Sequence, residues 1–343
     1  MSRSSRSSGG IASLALAWAV AGAAGAEEPP PKHLPDHTPA QWLERMDHAL
    51  TTRNYDGTFS HWQGGRVEML RIIHRVQDGI VSERLASLDG SGREFIRTGA
   101  SLACYLPDRR TVLVEQRPPE QSLVGFPSVN DQTASLYDIR EIGHMRLNRR
   151  ETHVISVAPK DEYRYGYRLW IDDSTAMPLK SQLADAHGDV IEQIVFASLT
   201  LTAHIPDSSF RPEISTEGFQ WLRDDTAPHL QPGSTALAWS AMSLPPGFRM
   251  TVRSAQILPG TAGPVDHLVF TDGFASVSVF VERRTAPSGA PAVPESATVG
   301  SSSAFSTVVD GHKITAVGEV PPATVRFIAS QLKAQGSVPA AGR

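Results

Sequence analysis

Short glycine-containing turns divide most of the chain into strand-length segments, and this feature restricts the fold more than any other. Dipeptides of this kind supply the positive φ angles that tight hairpin turns need. They separate strand-like segments at Gly64-Gly65, Asp78-Gly79, Asp89-Gly90 and His187-Gly188. Parallel strands need crossovers of about a dozen residues, and the gaps between these segments are too short for that. The pattern therefore predicts an antiparallel sheet.

One amphipathic helix precedes the strands, at residues 39–53. Thr38 is a suitable N-cap, Pro39 suits the first helical position, and Gln41 completes a capping box. The apolar residues that recur at helical spacing are Trp42, Leu43, Met46, Ala49 and Leu50. We expect the helix to pack on the sheet through this side.

A segment of sequence YRYGYRLWI combines strand-like alternation with an aromatic face. Alternation places Tyr163, Tyr165, Tyr167 and Leu169 on one side of the predicted strand. Two interpretations stay open. These side chains line an apolar cavity with Trp42 as its lid, which makes the five residues candidate lipid-binding residues, or they form the core beneath the Trp42 helix.

A second β-rich region follows the first, and its clearest signal is a hairpin. Residues 265–271 and 274–281 both read as strands, and Asp272-Gly273 between them is a tight-turn dipeptide. The candidate partner-binding residues at this hairpin are Phe270, Asp272, Gly273 and Phe274. The phenylalanines fit a core as well as a partner-binding face, and the sequence leaves this open.

Composition shifts along the chain predict two domains. Several prolines loosen the pattern near residues 206–235, and a Pro, Ala and Ser-rich segment at 285–303 is expected to be a mobile loop. A helix is predicted after Pro321-Pro322. The predicted segments are a signal peptide (1–26), a mobile leader (27–37), a large β domain (38–205), a linker (206–235), a small β-rich domain (236–336) and a tail (337–343).

The first 26 residues have the pattern of a secretory signal peptide. Arg3 and Arg6 precede a short apolar stretch, and Ala24 and Ala26 supply the small residues that precede a cleavage site at Glu27. The apolar stretch is shorter than the roughly 20 residues that span a bilayer. We therefore expect a soluble exported protein that works in the periplasm.

Charge, cysteine content and motifs exclude several classes of chemistry. A net charge of −4 argues against a protein that general positive charge holds to nucleic acid. The single cysteine, Cys104, excludes an internal disulfide and a thiolate zinc site, and its apolar surroundings predict a buried thiol. The chain lacks GxSxG and HExxH motifs and a glycine-rich phosphate loop. We expect a binding protein, not an enzyme, with no catalytic residues, metal or cofactor.

Beyond these patterns, the chain resembles a known family over both predicted domains. The matching segments of the first domain are 54–59 (NYDGTF), 69–75 (MLRIIHR), 83–85 (ERL), 87–90 (SLDG), 93–94 (RE), 104–108 (CYLPD), 164–172 (RYGYRLWID) and 178–180 (PLK). Those of the second domain are 267–280 (HLVFTDGFASVSVF) and 317–321 (VGEVP). Together they resemble the periplasmic sigma-E regulators RseB and MucB. Asn148-Arg149 departs from the family pattern, where a small Ala-Gly pair is expected, and 285–303 is too loose to align.

The resemblance implies an α+β fold. Its parts would be a LolA-like unclosed antiparallel half-barrel covered by helices, and a smaller C-terminal antiparallel-sheet domain with a terminal helix. It also implies a negative regulator of the envelope-stress sigma factor. Such a regulator binds the periplasmic part of a transmembrane anti-sigma factor of the RseA/MucA type and shields it from site-1 proteolysis. Lipopolysaccharide or the acyl chains of mislocalised lipoprotein relieve the shielding. The resemblance also leaves open whether the protein is a homodimer, because family members are often dimers.

The alternative is a LolA-like periplasmic carrier of lipid or lipoprotein. The aromatic face around Tyr165 motivates it, because an apolar half-barrel can hold acyl chains during transport. A carrier has no evident use for a second domain. The hairpin at Asp272-Gly273 therefore favours the regulator.

Overall fold

A computed structural model describes residues 37–116, 122–127, 135–223, 238–256, 263–283 and 294–335. The predicted signal peptide (1–26), the predicted leader up to residue 36 and the predicted tail (337–343) lie outside these residues. No helix within the described ranges is long and apolar enough to cross a membrane.

The predicted first helix is present as α1 (Pro39–Thr52). The Gln41 amide donates to Thr38 Oγ1 at 3.3 Å and the Thr38 amide donates to Gln41 Oε1 at 2.8 Å, so the capping box is formed. Its buried side chains are Trp42, Leu43, Met46 and Ala49. They join the core of the first domain, as their spacing predicts.

The first domain is built on a twelve-stranded sheet. Its strands are β1 (Tyr55–Gln63), β2 (Arg66–Gln77), β3 (Ile80–Ser87), β4 (Glu94–Thr98), β5 (Ser101–Leu106), β6 (Thr111–Gln116), β7 (Tyr137–Leu147), β8 (Arg150–Pro159), β9 (Gly166–Asp172), β10 (Pro178–Ala184), β11 (Val190–Leu201) and β12 (Gln220–Arg223). Their order in space is β12-β6-β5-β4-β3-β2-β1-β11-β10-β9-β8-β7. Among the described strands β12 and β7 are therefore the two edges, and the sheet is not closed.

We call the face of this sheet that carries α1 the inner face. Tyr55 and Phe59 on β1 point to it and are 3% and 1% exposed. Gly57 lies between them, and a Cβ at this position would stand 2.7 Å from Cε1 of Phe196 on β11. Glycine is therefore needed at residue 57, because the aromatic core leaves no room for a side chain there.

Positive φ angles occur at the predicted turns. Asp78 and Gly79, between β2 and β3, have φ of 53° and 75°. Asn148 and Arg149, where the family resemblance departs, have φ of 49° and 66° between β7 and β8. The Asn148 side-chain amide donates to the Phe196 carbonyl at 2.7 Å and holds a conformation that asparagine tolerates better than most residues. The departure thus preserves a tight hairpin.

The end of the first domain differs from the sequence predictions in two ways. The edge strand β12 runs parallel to β6, whereas the other described strand pairs of this sheet are antiparallel, as predicted. The predicted linker (206–235) begins too early, because β12 lies within this range and belongs to the sheet. The side chains of Phe210, Ile214 and Phe219 also pack on buried residues of β4, β5 and β6. Prolines interrupt this segment, but its apolar side chains still hold residues 206–223 on the sheet. Residues 224–237 lie outside the described part of the chain.

The second domain contains a six-stranded antiparallel sheet, a two-stranded ribbon and a helix. Its elements are β13 (Ala238–Ala241), β14 (Arg249–Gln256), β15 (Val265–Thr271), β16 (Ser276–Arg283), β17 (Glu295–Val299), β18 (Ser302–Val309), β19 (His312–Gly318), α2 (Pro322–Ser330) and β20 (Leu332–Gln335). The sheet has the order β14-β15-β16-β19-β18-β17, and β13 pairs with β20. The predicted terminal helix is α2, which packs on β18 and β19.

The predicted mobile loop (285–303) is wrong over its second half. β17 and β18 form a hairpin there, with Gly300 at a φ of 60° in the turn. Alternating small and apolar residues such as Ala304 and Phe305 pair across the sheet despite the low-complexity composition. Residues 285–293 lie outside the described part of the chain.

The expected fold class is confirmed. An unclosed sheet carries α1, and a smaller antiparallel sheet forms a separate domain with α2. Each domain has its own apolar core, one around Phe59 and Leu169 and one around Trp239 and Phe270. Cys104 is buried on β5, as its apolar surroundings predict.

Candidate binding groove at the domain junction

A fully buried arginine joins the two domains. Arg164, just before β9, is 0% exposed and donates through Nη1 to Asp272 Oδ2 at 3.0 Å. It also donates through Nε to Asp161 Oδ1 at 2.9 Å and through Nη2 to the Pro246 carbonyl at 2.6 Å. A buried charge is costly unless it is paired and hydrogen-bonded. These contacts therefore hold the second domain to the first.

Asp272 also shapes the turn that carries an aromatic side chain into the first domain. Its Oδ1 accepts from the amides of Phe274 and Ala275, both at 2.8 Å. The Phe274 ring lies 4.8 Å from the Tyr137 ring and 6.3 Å from the Tyr167 ring. One carboxylate thus supports both the ion pair and the position of Phe274.

The start of α2 supplies a second set of contacts. Tyr165 Oη donates to the Val320 carbonyl at 3.1 Å, and Thr324 Oγ1 donates to the Tyr163 carbonyl at 2.7 Å. The Tyr163 ring meets the Phe327 ring edge-on, with 5.3 Å between the centroids. Both tyrosines therefore bind the second domain of their own chain.

A polar network lies at the other end of the junction. The Gln63 side-chain amide donates to Glu192 Oε2 at 2.9 Å and to Ser301 Oγ at 2.8 Å. Glu192 Oε1 is 3.1 Å from Nε2 of His61. Ser301 lies in the turn between β17 and β18, so this network also crosses from one domain to the other.

The inner face leaves a cavity of about 340 Å³ beside these contacts. This volume is within the range of small-molecule sites. The apolar lining consists of Phe59, Leu70, Leu85, Leu183 and Ile194 from the sheet and Leu123, Val124 and Phe126 from the segment 122–127. Polar groups are added by His61, Glu192 and Glu319. An apolar wall with a few placed polar groups is typical of a ligand-binding site.

A second cavity, of about 400 Å³, shares part of its lining with the first. Tyr167, Phe274 and Glu319 line both, and Arg164 and Tyr165 border the second. We call the two cavities together the groove. Because Phe274 and Glu319 come from the second domain, the groove is complete only while the domains are in contact.

A buried carboxylate positions the segment 122–127 against the groove. Glu83 on β3 is 0% exposed, and its oxygens accept from Ser122 Oγ at 2.7 Å and from the Leu123 amide at 3.0 Å. Arg97 Nε lies 3.2 Å from the same carboxylate and balances its charge. His74 lies 3.9 Å away, and burial lowers its pKa below the ordinary value. The segment is therefore tied to the sheet by a buried charged group.

The carboxylates of the groove have pKa values shifted in opposite directions. Burial acts to raise the pKa of Glu192, but hydrogen bonds from His61, Ser301 and Gln63 outweigh it and leave the pKa below its ordinary value. The pKa of Glu319 is raised, first by burial and then by the negative charge of Glu192. The hydrogen bond to Glu192 raises the pKa of His61. Glu192 therefore ionises more readily than Glu319, so the two carboxyls of the groove differ in their readiness to carry charge.

The structure distributes the five candidate lipid-binding residues over three environments. Tyr167 lines the groove, whereas Leu169 and Trp42 lie in the core at 0% and 2% exposure. Tyr163 and Tyr165 contact the second domain, and Tyr165 also borders the second cavity. The expected single face needs correction because β9 begins only after Tyr165, so the strand alternation does not extend back to the first two tyrosines.

The four candidate partner-binding residues lie at or near the junction. Phe270 is buried in the core of the second domain, at 1% exposure. Asp272 and Phe274 contact the first domain of the same chain. Gly273 is exposed in the turn, at a φ of 97°. Of the four, Phe274 is the residue that a ligand in the groove would touch.

The polar residues of the groove were not identified from the sequence. His61, Glu192 and Glu319 are far apart in the chain, so no local spacing connects them. The pairing of β1 with β11, which places Gln63 opposite Glu192, would have connected two strands of the site. Arg164 begins the segment RYGYRLWID. Its position just before an apolar strand was the one sequence feature that could have marked it as a buried, functional arginine.

Two family models match the chain and cover both domains. They are the MucB/RseB N-terminal domain, at residues 38–214, and the MucB/RseB C-terminal domain, at residues 233–333. Among relatives, the sigma factor AlgU regulatory protein MucB of Pseudomonas aeruginosa is 31% identical over 300 residues, which cover 87% of this chain and 92% of the relative.

Solved structures of similar proteins agree with these matches. MucB in complex with MucA(peri) is 29% identical, with 87% of this chain and 99% of that chain covered and a TM-score of 0.68. MucB alone is 28% identical, with 86% and 98% covered and a TM-score of 0.57. The predicted resemblance is therefore confirmed over both domains, and the chain belongs to the MucB/RseB family of sigma-factor regulatory proteins.

Proposed function

We propose that this protein binds the periplasmic part of a transmembrane anti-sigma factor of the RseA/MucA type and so acts as a negative regulator of an envelope-stress sigma factor. Its family supports this, as does the complex of the similar MucB with MucA(peri). The chain also superimposes better on that complex, with a TM-score of 0.68, than on MucB alone, with 0.57. Its arrangement is therefore nearer to the partner-bound form of the relative.

In this proposal the bound protein shields the anti-sigma factor from site-1 proteolysis, and lipopolysaccharide or mislocalised lipoprotein relieves the shielding. The observation that carries it is the apolar groove at the junction. Acyl chains suit the wall formed by Leu70, Leu85 and Leu183, and Phe274 would have to yield to them. A ligand in the groove therefore acts directly on the contact between the domains.

The energetics of such a switch are reasonable. A ligand shifts an equilibrium only by the difference in its affinities for the two states, and about 5.5 kcal/mol moves a ratio from 1:99 to 99:1. Burial of one methylene contributes about 0.8 kcal/mol, so about seven methylenes supply this difference. One acyl chain in the groove is enough.

The proposal also places the protein in the periplasm and assigns it no catalytic activity. The polar side chains of the groove support the second point, because His61, Gln63 and Glu192 bind one another and, through Ser301, the second domain. A structural role accounts for them. Since Phe274 and Glu319 of the second domain form part of the groove wall, a regulator is favoured over a carrier, which has no evident use for that domain.

A binding experiment with two matched variants tests this proposal. The protein is titrated with the periplasmic segment of the anti-sigma factor, and cleavage of that segment by the site-1 protease is followed with and without lipopolysaccharide. We expect a complex, slower cleavage within it, and faster cleavage when lipopolysaccharide is added. Leu70→Gln puts an amide into the apolar wall, so relief should require about tenfold more lipopolysaccharide while the anti-sigma segment still binds. Val67→Gln is on the same strand but 64% exposed and should behave as the wild type.

The two parts of the proposal fail separately. If no complex forms, or if cleavage is unchanged in the complex, the protein is not the expected regulator. If Leu70→Gln and Val67→Gln need equal lipopolysaccharide for relief, the lipid binds outside the groove.

A further inference from the structure

A cluster of potential metal ligands lies on the inner face at the β7 edge of the large sheet. Glu141 and His144 are on β7 and His153 is on β8, and one ligand atom of each lies within 4.8 Å of the others. Glu141 Oε1 is 3.1 Å from Nε2 of His144 and 2.7 Å from Nδ1 of His153. We call these three residues the Glu-His-His cluster. None of them lines the groove.

A bulge in β7 brings Glu141 onto the same face as the two histidines. Residues three apart in a regular strand point to opposite faces. The register of β7 against β8 shifts between Glu141 and Gly143, which adds one residue to β7 and restores a common face. His144 then pairs directly with His153 across the hairpin. Bulges are frequent where a strand re-aims a side chain for function.

Two further contacts orient the His153 ring for metal binding. Asp173 Oδ1 lies 3.0 Å from Nε2 of His153. In metal sites the ligating histidine commonly donates its other ring N–H to such a carboxylate, which fixes the tautomer. Nδ1, which hydrogen-bonds to Glu141 Oε1 at 2.7 Å, gives up its proton when an ion binds and offers its lone pair to the metal. The Trp42 ring stacks on His153 at 4.0 Å and holds the plane of the imidazole.

We propose that Glu141, His144 and His153 bind a divalent transition-metal ion, with zinc the best match to two imidazoles and a carboxylate. Ligand atoms about 2.1 Å from a tetrahedral zinc ion stand about 3.4 Å apart. To bind zinc, the distances from Glu141 Oε1 to the two histidine nitrogens, now 2.7 and 3.1 Å, must increase by less than about 1 Å. The distance between the ligand nitrogens of His144 and His153, now at most 4.8 Å, must decrease to about 3.4 Å.

The surroundings of the cluster suit this ion. With neutral imidazoles, the carboxylates of Glu141 and Asp173 provide two negative charges, which a divalent cation balances. The His144 side chain is 66% exposed, so the fourth coordination position faces solvent and takes water or a side chain of another molecule. The bound ion links the β7 edge to α1, because Trp42 of α1 stacks on His153.

Calorimetric titration with zinc chloride tests the proposal, on the chain prepared without a histidine tag. The wild type should bind one zinc ion per chain, and His144→Gln should weaken the affinity by more than about tenfold because one of three protein ligands is lost. His187→Gln removes another exposed histidine, outside the cluster, and should leave the affinity unchanged. Cobalt(II) in place of zinc should give the absorption bands of a four-coordinate site in the wild type and in His187→Gln but not in His144→Gln.

A second variant separates the orienting contact from the ligands. Asp173→Ala should keep one zinc per chain and lower the affinity by about 10–100-fold, because His153 loses the carboxylate that holds its tautomer. Glu141→Gln should lose the site, with a folded circular dichroism spectrum. The proposal is wrong if the wild type does not bind zinc at one ion per chain, or if His144→Gln binds it as tightly as His187→Gln does.

Discussion

The two ends of the domain junction differ in burial. At one end Arg164 and Asp272 have fully buried side chains, and two aromatic rings flank the guanidinium within 5.8 Å. At the other end the side chains of His61 and Glu192 are 25% and 23% exposed, and the link to the second domain runs through the side chain of Gln63. Both ends are charged and hydrogen-bonded, so the difference is one of access to water.

This difference sets how strongly each end resists opening. Breaking the buried pair leaves a charge without a partner in a medium of low dielectric constant. The groups of the exposed network exchange protein partners for water at a much lower cost. The Arg164 end is therefore the stronger connection between the domains, and the Glu192 end opens at the lower cost.

Among the variants that test this difference, removal of the buried cation is expected to lower the free energy of unfolding most. Arg164→Met keeps much of the side-chain volume but leaves Asp272 buried without its cation, so the free energy of unfolding should fall by about 3–5 kcal/mol. Urea denaturation measures this. Arg168→Met, at an exposed position of β9, should stay within about 0.5 kcal/mol of the wild type. Equal losses in the two variants would show that the ion pair is not the main tie.

A smaller effect is expected from a matched pair of glycines. Gly300→Ala places a Cβ 2.5 Å from Cγ of Gln63, so Gln63 must move away from its partners, whereas Gly311→Ala meets nothing within 4 Å. The φ angles of 60° and 75° make the backbone strain similar, at about 1 kcal/mol in each. Gly300→Ala should therefore lose about 1 kcal/mol more than Gly311→Ala in urea denaturation. If the two lose the same, the Gln63 network does not hold the domains together.

The smallest expected effect is a stabilisation, in contrast to the two losses above, and it depends on pH. Because the pKa of Glu319 is raised above its ordinary value of 4.5, the protonated carboxyl favours the folded state. Its stabilisation is present below about pH 4.5 and is lost as the pH rises through the folded-state pKa. Glu319→Gln should therefore raise the unfolding midpoint by about 1 °C at pH 7.5 and should have no stabilising effect at pH 4.

Thermal unfolding at the two pH values measures this effect, with the exposed Glu217→Gln as control. The control removes one negative charge from a site away from the groove. A midpoint that does not rise at pH 7.5, or that rises equally in both variants, would show that burial and the charge of Glu192 do not oppose ionisation of Glu319 in the folded protein.

Elements whose signals lie within a few residues were predictable from the sequence. Thr38 and Gln41 are three residues apart and form the capping box of α1. Asp78-Gly79 turns the chain because both residues accept positive φ. The family resemblance extends this to the number and type of the domains, since its segments lie in both.

Features that depend on distant partners were not predictable in the same way. Tyr163 and Tyr165 share the period of a strand, but their contacts with Thr324 and Val320 place them at the junction. The prolines around residue 212 suggest a linker, yet Phe210 and Phe219 find apolar partners on β4, β5 and β6. A local pattern does not specify which surface a side chain will meet.

The sequence by itself determined an antiparallel-strand chain with a capped helix and a second β domain, because hydrophobic period, turn residues and caps act over a few residues. Membership of the regulator family came from the resemblance of segments in both domains, which the family models confirm. The tertiary structure alone decided the groove, the Arg164–Asp272 pair and the Glu-His-His cluster. Arg164 and Asp272 are 108 residues apart. Such groups meet only after strand register and domain contact are set, because a buried polar group is stable only where the completed fold supplies its partner.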